Sequence, residues 1–542
     1  MDIRRLWSLM PPNLQHHWLC GSVGPVHLAT MAAVALEAGG QQPHLLDLGI
    51  DLVVAAWLAS PLDGGLAVHV DALAQRAPGT VDPGIAQLAR GIAGAWHPPH
   101  GDSRLARLLQ RWDTSALIDL VEERMGQDPE NLFWAHQAVT VGMAEGLWEV
   151  VERVAGRLEG NWPVLCHAVR ATLALVQGAA ASALAHLPLW PGAIARLAEA
   201  MVRTQVHGLE AARPAWRQVL QEAPWMLQAG LLLYDQLHNI HAERQEPPCP
   251  GVVALYTWDK PEELATTLES LHTSRLHGAV LWVLDNGCSA PAKDVLRHWQ
   301  EQLGVRLRVI SLPINVGAPA ARNWLRVEAF AAGVPWMVYL DDDVSLPEDW
   351  LERLWAARMR YPEAGVWGCR VVDAVAPWTL QSVDLHLLPS TDPQQRFRVS
   401  DLHHQVLDWG QFAYVRPCAS VTGCCHLFTA QGLREHGEFD LRYSPSQYDD
   451  LDRDVRMLQS GKAAVYQGHL EIRHFRRTGR AAMVSPAQFG NAAANMDKLQ
   501  RRFSQSQWQE VMAREAQILA EDWWPKWTQV RAWLEEGRHG AR

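Results

Sequence analysis

Residues 336–343, WMVYLDDD, decide how the rest of the chain is read. Five mostly apolar residues of high strand propensity run into three consecutive aspartates, the pattern of a buried central strand that ends where charge is wanted. Side chains at i and i+2 of an extended segment face the same way, so Asp341 and Asp343 can share one cation while Asp342 turns to a neighbour. Adjacent carboxylates repel, and a divalent cation that accepts oxygen ligands, Mg2+ or Mn2+, relieves the repulsion. The same residues would also serve as a solvated acidic turn ahead of a helix beginning at Pro347 and Glu348. The flanking sequence separates the two readings.

Upstream, residues 243–251, ERQEPPCPG, punctuate the chain, and after them strand and helix patterns alternate. GVVALYT leads to a helix at 261–272, AVLWVLDNG to one near 292–303, and RLRVISLP to one at 318–332, before the aspartate strand. Such a succession predicts a parallel sheet with helices on both faces and ligands at the carboxyl ends of its strands. Polar residues gather at those ends: Thr257, Asp259 and Lys260, then Asp285, Asn286 and Gly287, then Asn315, Gly317, Arg322 and Asn323. Neither GxxxxGK[ST] nor a GxGxxG at the first turn occurs, which argues against kinase and dinucleotide-dependent oxidoreductase chemistry.

Downstream, a strand fits residues 365–372, and residues 373–410 lack clear periodicity. A second acidic cluster follows in GEFDLRYSPSQYDDLDRDVRMLQSG, where Asp449, Asp450 and Asp452 open a helix whose dipole favours carboxylates at that end. His469 and His474 come after the strand AAVYQ, and beyond Arg480 the pattern is helical.

Taken together these pieces resemble the GT-A nucleotide-sugar-binding domain of glycosyltransferase family 2, an α/β fold with a mostly parallel, Rossmann-like sheet. The resemblance covers residues 250 to 480 and rests on TWDKPEEL, VLDNG, NVGAPAARN, YLDDD with SLPEDWLE, and GEFD with QYDDLDRDVRMLQSG. It implies that Thr257, Lys260 and Asp285 line the base and ribose of a nucleoside diphosphate sugar, with Arg322 near the base or diphosphate and Asp342 on the donor side. Asp341, Asp342 and Asp343 would be the metal motif, with Asp343 the foremost direct ligand to Mn2+ or Mg2+ and Asp341 beside it. His474 would be a further metal ligand, with His469 as the fallback. Thr422, Gly423 and Cys424 would form the small-residue turn on the acceptor side, and residues 373–410 would be an acceptor-side insertion. Asp449, Asp450 and Asp452 align with the family's Glu-Asp-x-Asp, and Arg456 with its arginine one turn on; Asp449 replaces the usual glutamate. Asp450 is then the implied base for an inverting displacement at the anomeric carbon. Trp508, Trp523, Trp524 and Trp527 could close over an acceptor sugar or pack as core.

The N-terminal half reads differently. From Ser103 apolar residues recur at three and four, as in Leu105, Leu108 and Leu109, and Pro129, Pro163, Pro191 and Pro224 each stand near a new apolar helix. Two of those intervals approach the roughly 34-residue period of tetratricopeptide-like pairs. Four regions are therefore expected: mostly helical 1–102, helical-repeat-like 103–245, the GT-A domain 246–480, and a helical extension 481–542. The helical half could dock a protein partner or the acceptor, or only pack as a platform.

The totals bound the alternatives. With 542 residues, 48% hydrophobic and 20% charged, the chain is a multi-domain globular protein. A net charge of -11 without any Lys/Arg run argues against a nucleic-acid partner. Residues 45–58 are the most apolar stretch, but Asp47 and Asp51 interrupt it and no transmembrane segment is expected. With no apolar core of signal-peptide length at the start, a cytoplasmic location, or a peripheral one at the inner membrane, is expected. Eight cysteines without a CxxC pair read as buried thiols, Cys418, Cys424 and Cys425 included. The expectation is a metal-dependent inverting transferase using a UDP-, GDP- or dTDP-linked sugar, with a saccharide, lipid-linked or protein acceptor. Its alternatives are an inactive GT-A scaffold whose helices bind a partner, and a nucleotidyltransferase on a related fold.

Overall fold

The computed structural model describes residues 3–40, 42–99, 101–390, 392–400, 402, 406–476 and 485–536. They divide into two units. One is drawn from residues 1–237, 401–411 and 526–542, and the other from 238–400 and 412–525.

The first unit is helical, from Ile3–Leu9 to Leu227–Leu237, and most successive helices pack against one another. Its helix starts are written in the sequence. Pro12, Pro25, Pro43, Pro83 and Pro163 stand in the first turn of their helices, where an N–H would have no partner anyway. Asp63, Asp82, Asp102, Asp113 and Asn131 cap the helices that follow them, each accepting from a backbone N–H two or three residues on. The helices Leu132–Glu145 and Trp148–Leu158 are joined through Gly146, whose φ of 69° is costly for any residue with a Cβ. Trp57, Leu117, Leu120, Val121, Val151 and Leu165 share one fully buried cluster, each contributing about 1.5–3 kcal/mol by leaving water.

The second unit holds twelve strands among the described residues, ten in one sheet and two in a separate pair. They are β1 (Val252–Thr257), β2 (Val280–Asn286), β3 (Leu307–Leu312), β4 (Trp336–Leu340), β5 (Val344–Ser345), β6 (Val366–Asp373), β7 (Leu380–Ser382), β8 (Leu387–Leu388), β9 (Arg398–Val399), β10 (Val415–Cys418), β11 (Cys425–Thr429) and β12 (Ala464–His474). The main sheet runs β10-β12-β6-β11-β4-β1-β2-β3, with β5 on β12 and β7 on β6, while β8 and β9 pair separately. On the β4-β1-β2-β3 side every pairing is parallel, as the alternation of strand and helix predicts. At β11 the direction reverses, for it lies antiparallel to both β4 and β6. The result is a mixed, mostly parallel sheet whose β4 is buried at every residue.

The irregular stretch after β6 is anchored to the last helix, Gln505–Glu536, through a fully buried histidine. His386 places Nδ1 2.8 Å from Glu515 Oε1 and Nε2 3.0 Å from Asp384 Oδ2. Leu387 donates its N–H to the other oxygen of Glu515, and Phe397 stacks on the buried Trp508 with centroids 4.2 Å apart. Trp523 and Trp527 are buried as well, so these indoles are core.

Candidate active site

The three aspartates follow β4 and are not equivalent. Asp341 is half-buried, whereas Asp342 and Asp343 are buried. Thr267, on the helix Pro261–Thr273, pins the turn: its hydroxyl lies 2.8 Å from the Val344 carbonyl and 3.0 Å from that of Asp342, and accepts the Val344 N–H. Lys260, just ahead of that helix, donates to Asp342 Oδ1 at 2.9 Å and Asp343 Oδ2 at 2.8 Å. Burial pulls the Lys260 ammonium down, but the two carboxylates outweigh it and hold it charged. Burial pushes Asp342 up, and Lys260 counters that. Asp343 is held well below the usual carboxylate range because His474 and Lys260 together exceed the cost of its burial.

His474 closes β12 opposite Val344, and the Phe475 N–H donates to the Asp343 carbonyl. Its Nε2 stands 3.1 Å from Asp343 Oδ1. The other ring nitrogen, Nδ1, lies 2.8 Å from Gln381 Oε1, while Gln381 Nε2 donates to the Arg476 carbonyl at 3.0 Å. That donation fixes the amide's orientation, so Nδ1 must carry hydrogen. A neutral imidazole then aims the Nε2 lone pair at a carboxylate, which calls for a second proton or a cation between them. His469 is elsewhere on the same strand, its ring 6.2 Å from that of His241 and its carbonyl accepting from Arg353.

Asp341, His474 and Cys424 place one donor atom each within 4.8 Å of one another. Donors at roughly 2.0–2.3 Å from a cation sit within about 4.5 Å of each other, so carboxylate, imidazole and thiol here fit a divalent transition metal with small adjustment. Cys424 reaches this place because β11 returns antiparallel to β4 with Cys425 opposite Leu340, and the Asp341 N–H donates to the Cys424 carbonyl at 3.2 Å. Nothing in its local spacing signals a metal ligand. Gln381 and Thr267 also escaped the sequence reading, since their roles depend on partners about 90 and 75 residues away.

Arg322 joins this cluster to the second one. The residue is 5% exposed, and its guanidinium lies 2.6 Å from Asp449 Oδ2, 3.6 Å from Asp341 Oδ1 and 5.5 Å from the Tyr256 ring centre. Burial disfavours its charge, but Asp449 and Asp341 keep it protonated, while burial pushes Asp449 up to about 6 against the pull of Arg322. Gly423 touches both sides: its carbonyl accepts from Arg322, and its N–H donates to Asp450 Oδ2 at 2.8 Å. A Cβ there would meet Arg322 Nη2 at 2.5 Å and Asp450 Oδ2 at 3.0 Å, so a larger residue would displace the Arg322 guanidinium.

In the helix Asp449–Gln459 only Asp450 among the four aspartates is half-buried; Asp449, Asp452 and Asp454 are buried. Asp452 accepts from Arg456 at 2.9 Å and Tyr443 at 3.1 Å, with Arg502 3.2 Å away. Arg456 also donates to the carbonyls of His436 and Glu438, so Asp452 and Arg456 tie the helix to its preceding loop. Thr257 and Asp285 are register partners at the carboxyl ends of β1 and β2, both buried, and Asp285 Oδ1 accepts the Cys288 N–H at 2.8 Å.

Residues 252–419 match the model of Glycosyl transferase family 2, and this stretch is a domain of that family. No curated protein matches the sequence. Among solved structures, GalNAc-T7 with UDP, GalNAc and Mn2+ is similar at 13% identity and a TM-score of 0.34, over 44% of each chain. The mannosyltransferase PcManGT from Pyrobaculum calidifontis, in complex with GDP-Man and Mn2+, is similar at 15% identity and a TM-score of 0.33, over 61% of this chain and 92% of that one. The present chain thus spans under half the length of the GalNAc-T7 chain. Among the described residues no helix is long and apolar enough to cross a membrane.

Proposed function

We propose that this chain is a metal-dependent, inverting glycosyltransferase that moves a sugar from a nucleoside diphosphate sugar to an acceptor hydroxyl. The observation that supports this most is the bridge from Asp341 through Arg322 and Gly423 to Asp450, which sets two acidic clusters around one place. On this reading Thr257 and Asp285 face the base and ribose, and Lys260 and Arg322 offset the negative charge of the diphosphate. Asp341 and His474 would hold the cation, with Asp343 oriented against His474. When bound, that cation supplies Lewis-acid charge to the departing diphosphate. Asp450 keeps its carboxylate fixed by the N–H groups of Gly423 and Leu451, leaving lone pairs for an acceptor hydroxyl. It would take that proton as the oxygen attacks the anomeric carbon from the side opposite the diphosphate. The acceptor is a saccharide, lipid-linked or protein hydroxyl, and the helical unit is where a protein partner would dock.

A thermal-shift panel of UDP, GDP and dTDP, each with and without Mn2+, tests the reading. One nucleotide should raise the melting midpoint only in the presence of metal, since ligand at a hundred times its Kd stabilises by about 2.7 kcal/mol. No shift with any nucleotide would overturn it.

A further inference from the structure

Resting on the transferase reading above, the structure assigns the Cys424 thiol as a third donor of the cation site, one that the acidic motif does not supply. The site is then mixed, with oxygen from Asp341, sulfur from Cys424 and nitrogen from His474, and it selects transition-metal divalent cations over Mg2+.

Three observations converge on this. The donor atoms of Asp341, Cys424 and His474 are mutually within 4.8 Å. Cys424 is 7% exposed, and its backbone is locked to Asp341 by the N–H to carbonyl bond at 3.2 Å, so the thiol is held in place before any ligand arrives. Gln381 accepts the Nδ1 hydrogen of His474, which leaves Nε2, facing the aspartates, as the ring nitrogen open to a cation in place of a proton. Lys260 meanwhile occupies Asp343 Oδ2, and His474 stands against Asp343 Oδ1, which leaves Asp341 as the carboxylate of the three-donor set.

Binding proceeds with a balanced exchange: the sulfur–hydrogen bond of Cys424 breaks, its proton leaves to solvent, and a sulfur–metal bond forms. Aspartate and thiolate then carry two negative charges against the two positive charges of the ion. Mg2+ requires oxygen ligands in near-octahedral geometry and gains nothing from sulfur, whereas affinity for N/O/S sites rises from Mn2+ through Co2+ towards Zn2+.

The test is a Co2+ titration of the chelator-stripped, full-length protein, followed by absorption, on wild type, Cys249→Ser and Cys424→Ser. Cys249 is the exposed thiol and hence the competing source of sulfur. We expect a thiolate-to-cobalt charge-transfer band that saturates at one equivalent in wild type and Cys249→Ser and is absent in Cys424→Ser. We also expect the preference for Mn2+ over Mg2+, measured by competition, to fall at least about tenfold in Cys424→Ser. Saturation of wild type without the band, or a band that follows Cys249, would overturn the assignment, and neither result needs the Cys424 variant to fold. Mn2+-dependent nucleotide diphosphate binding, measured alongside, separates the failures. If it persists without the band, only the sulfur ligand is wrong; if it too is missing, the transferase reading falls with it.

Discussion

The two acidic runs are similar on paper and opposite in construction. The first sits at the end of a strand, where Asp342 and Asp343 are buried on Lys260 and only Asp341 keeps partial exposure. The second sits in a helix, where Asp449 is paired with Arg322, Asp452 with Arg456 and Arg502, and Asp454 accepts the Ser420 hydroxyl at 2.7 Å, leaving Asp450 half-buried. On the proposed reading each run of carboxylates reduces to one that meets a ligand. The buried carboxylates are ion-paired or hydrogen-bonded, Asp342 and Asp343 sharing Lys260, and these contacts offset the cost of burying them.

The largest effect expected from breaking this comparison is at Asp450. Asp450→Asn should lower transfer by about 10²–10⁴-fold in steady-state assays while leaving metal-dependent nucleotide binding in place. Unchanged turnover would remove it as the base.

Arg322→Met comes next, because it strands Asp449 in the interior. A loss of about 3–5 kcal/mol in urea unfolding is expected, with part recovered on adding Asp449→Asn. A loss under about 1 kcal/mol would mean that the bridge holds nothing together.

Asp452→Asn should cost about 1–3 kcal/mol by the same measurement, since its two arginine partners lose their counter-charge. Stability equal to wild type would return Asp452 to the set of ligand-facing residues.

The smallest effect is a pH slope from His386. Burial pulls its pKa down, but the hydrogen bonds to Asp384 and Glu515 prevail and raise it, with Arg416 opposing. The Tyr414 hydroxyl also donates to Asp384. A folded pKa above the unfolded value gives stability that is full below the usual 6.5 and is lost as pH rises through the folded pKa. The melting midpoint should therefore fall from about pH 6 to about pH 8, less steeply in His386→Gln. Asp454, which burial pushes up to about 7, acts in the same sense, so the difference between the two slopes is the measure. Parallel slopes would exclude His386.

Much of this was legible beforehand. The β1 to β4 order could be read because each strand is an apolar run ending in polar residues, and the helix starts because proline and aspartate mark them locally. The reversal at β11 could not, since antiparallel entry depends on the path between β6 and β11, where the described residues form only short strands without periodicity. Cys424 was hidden for the same reason, as its place beside Asp341 comes from sheet register across some 80 residues. The aspartates were visible as a group, but the partner each takes is set by long-range packing, and this decides which of them stays open.

The most direct test of that division is calorimetric titration of the favoured nucleoside diphosphate with Mn2+ into Asp341→Asn and Asp450→Asn. The arrangement predicts that Asp341→Asn loses the metal-dependent part of the affinity and Asp450→Asn keeps it. Equal loss in both, or metal-dependent binding retained in Asp341→Asn, would contradict it.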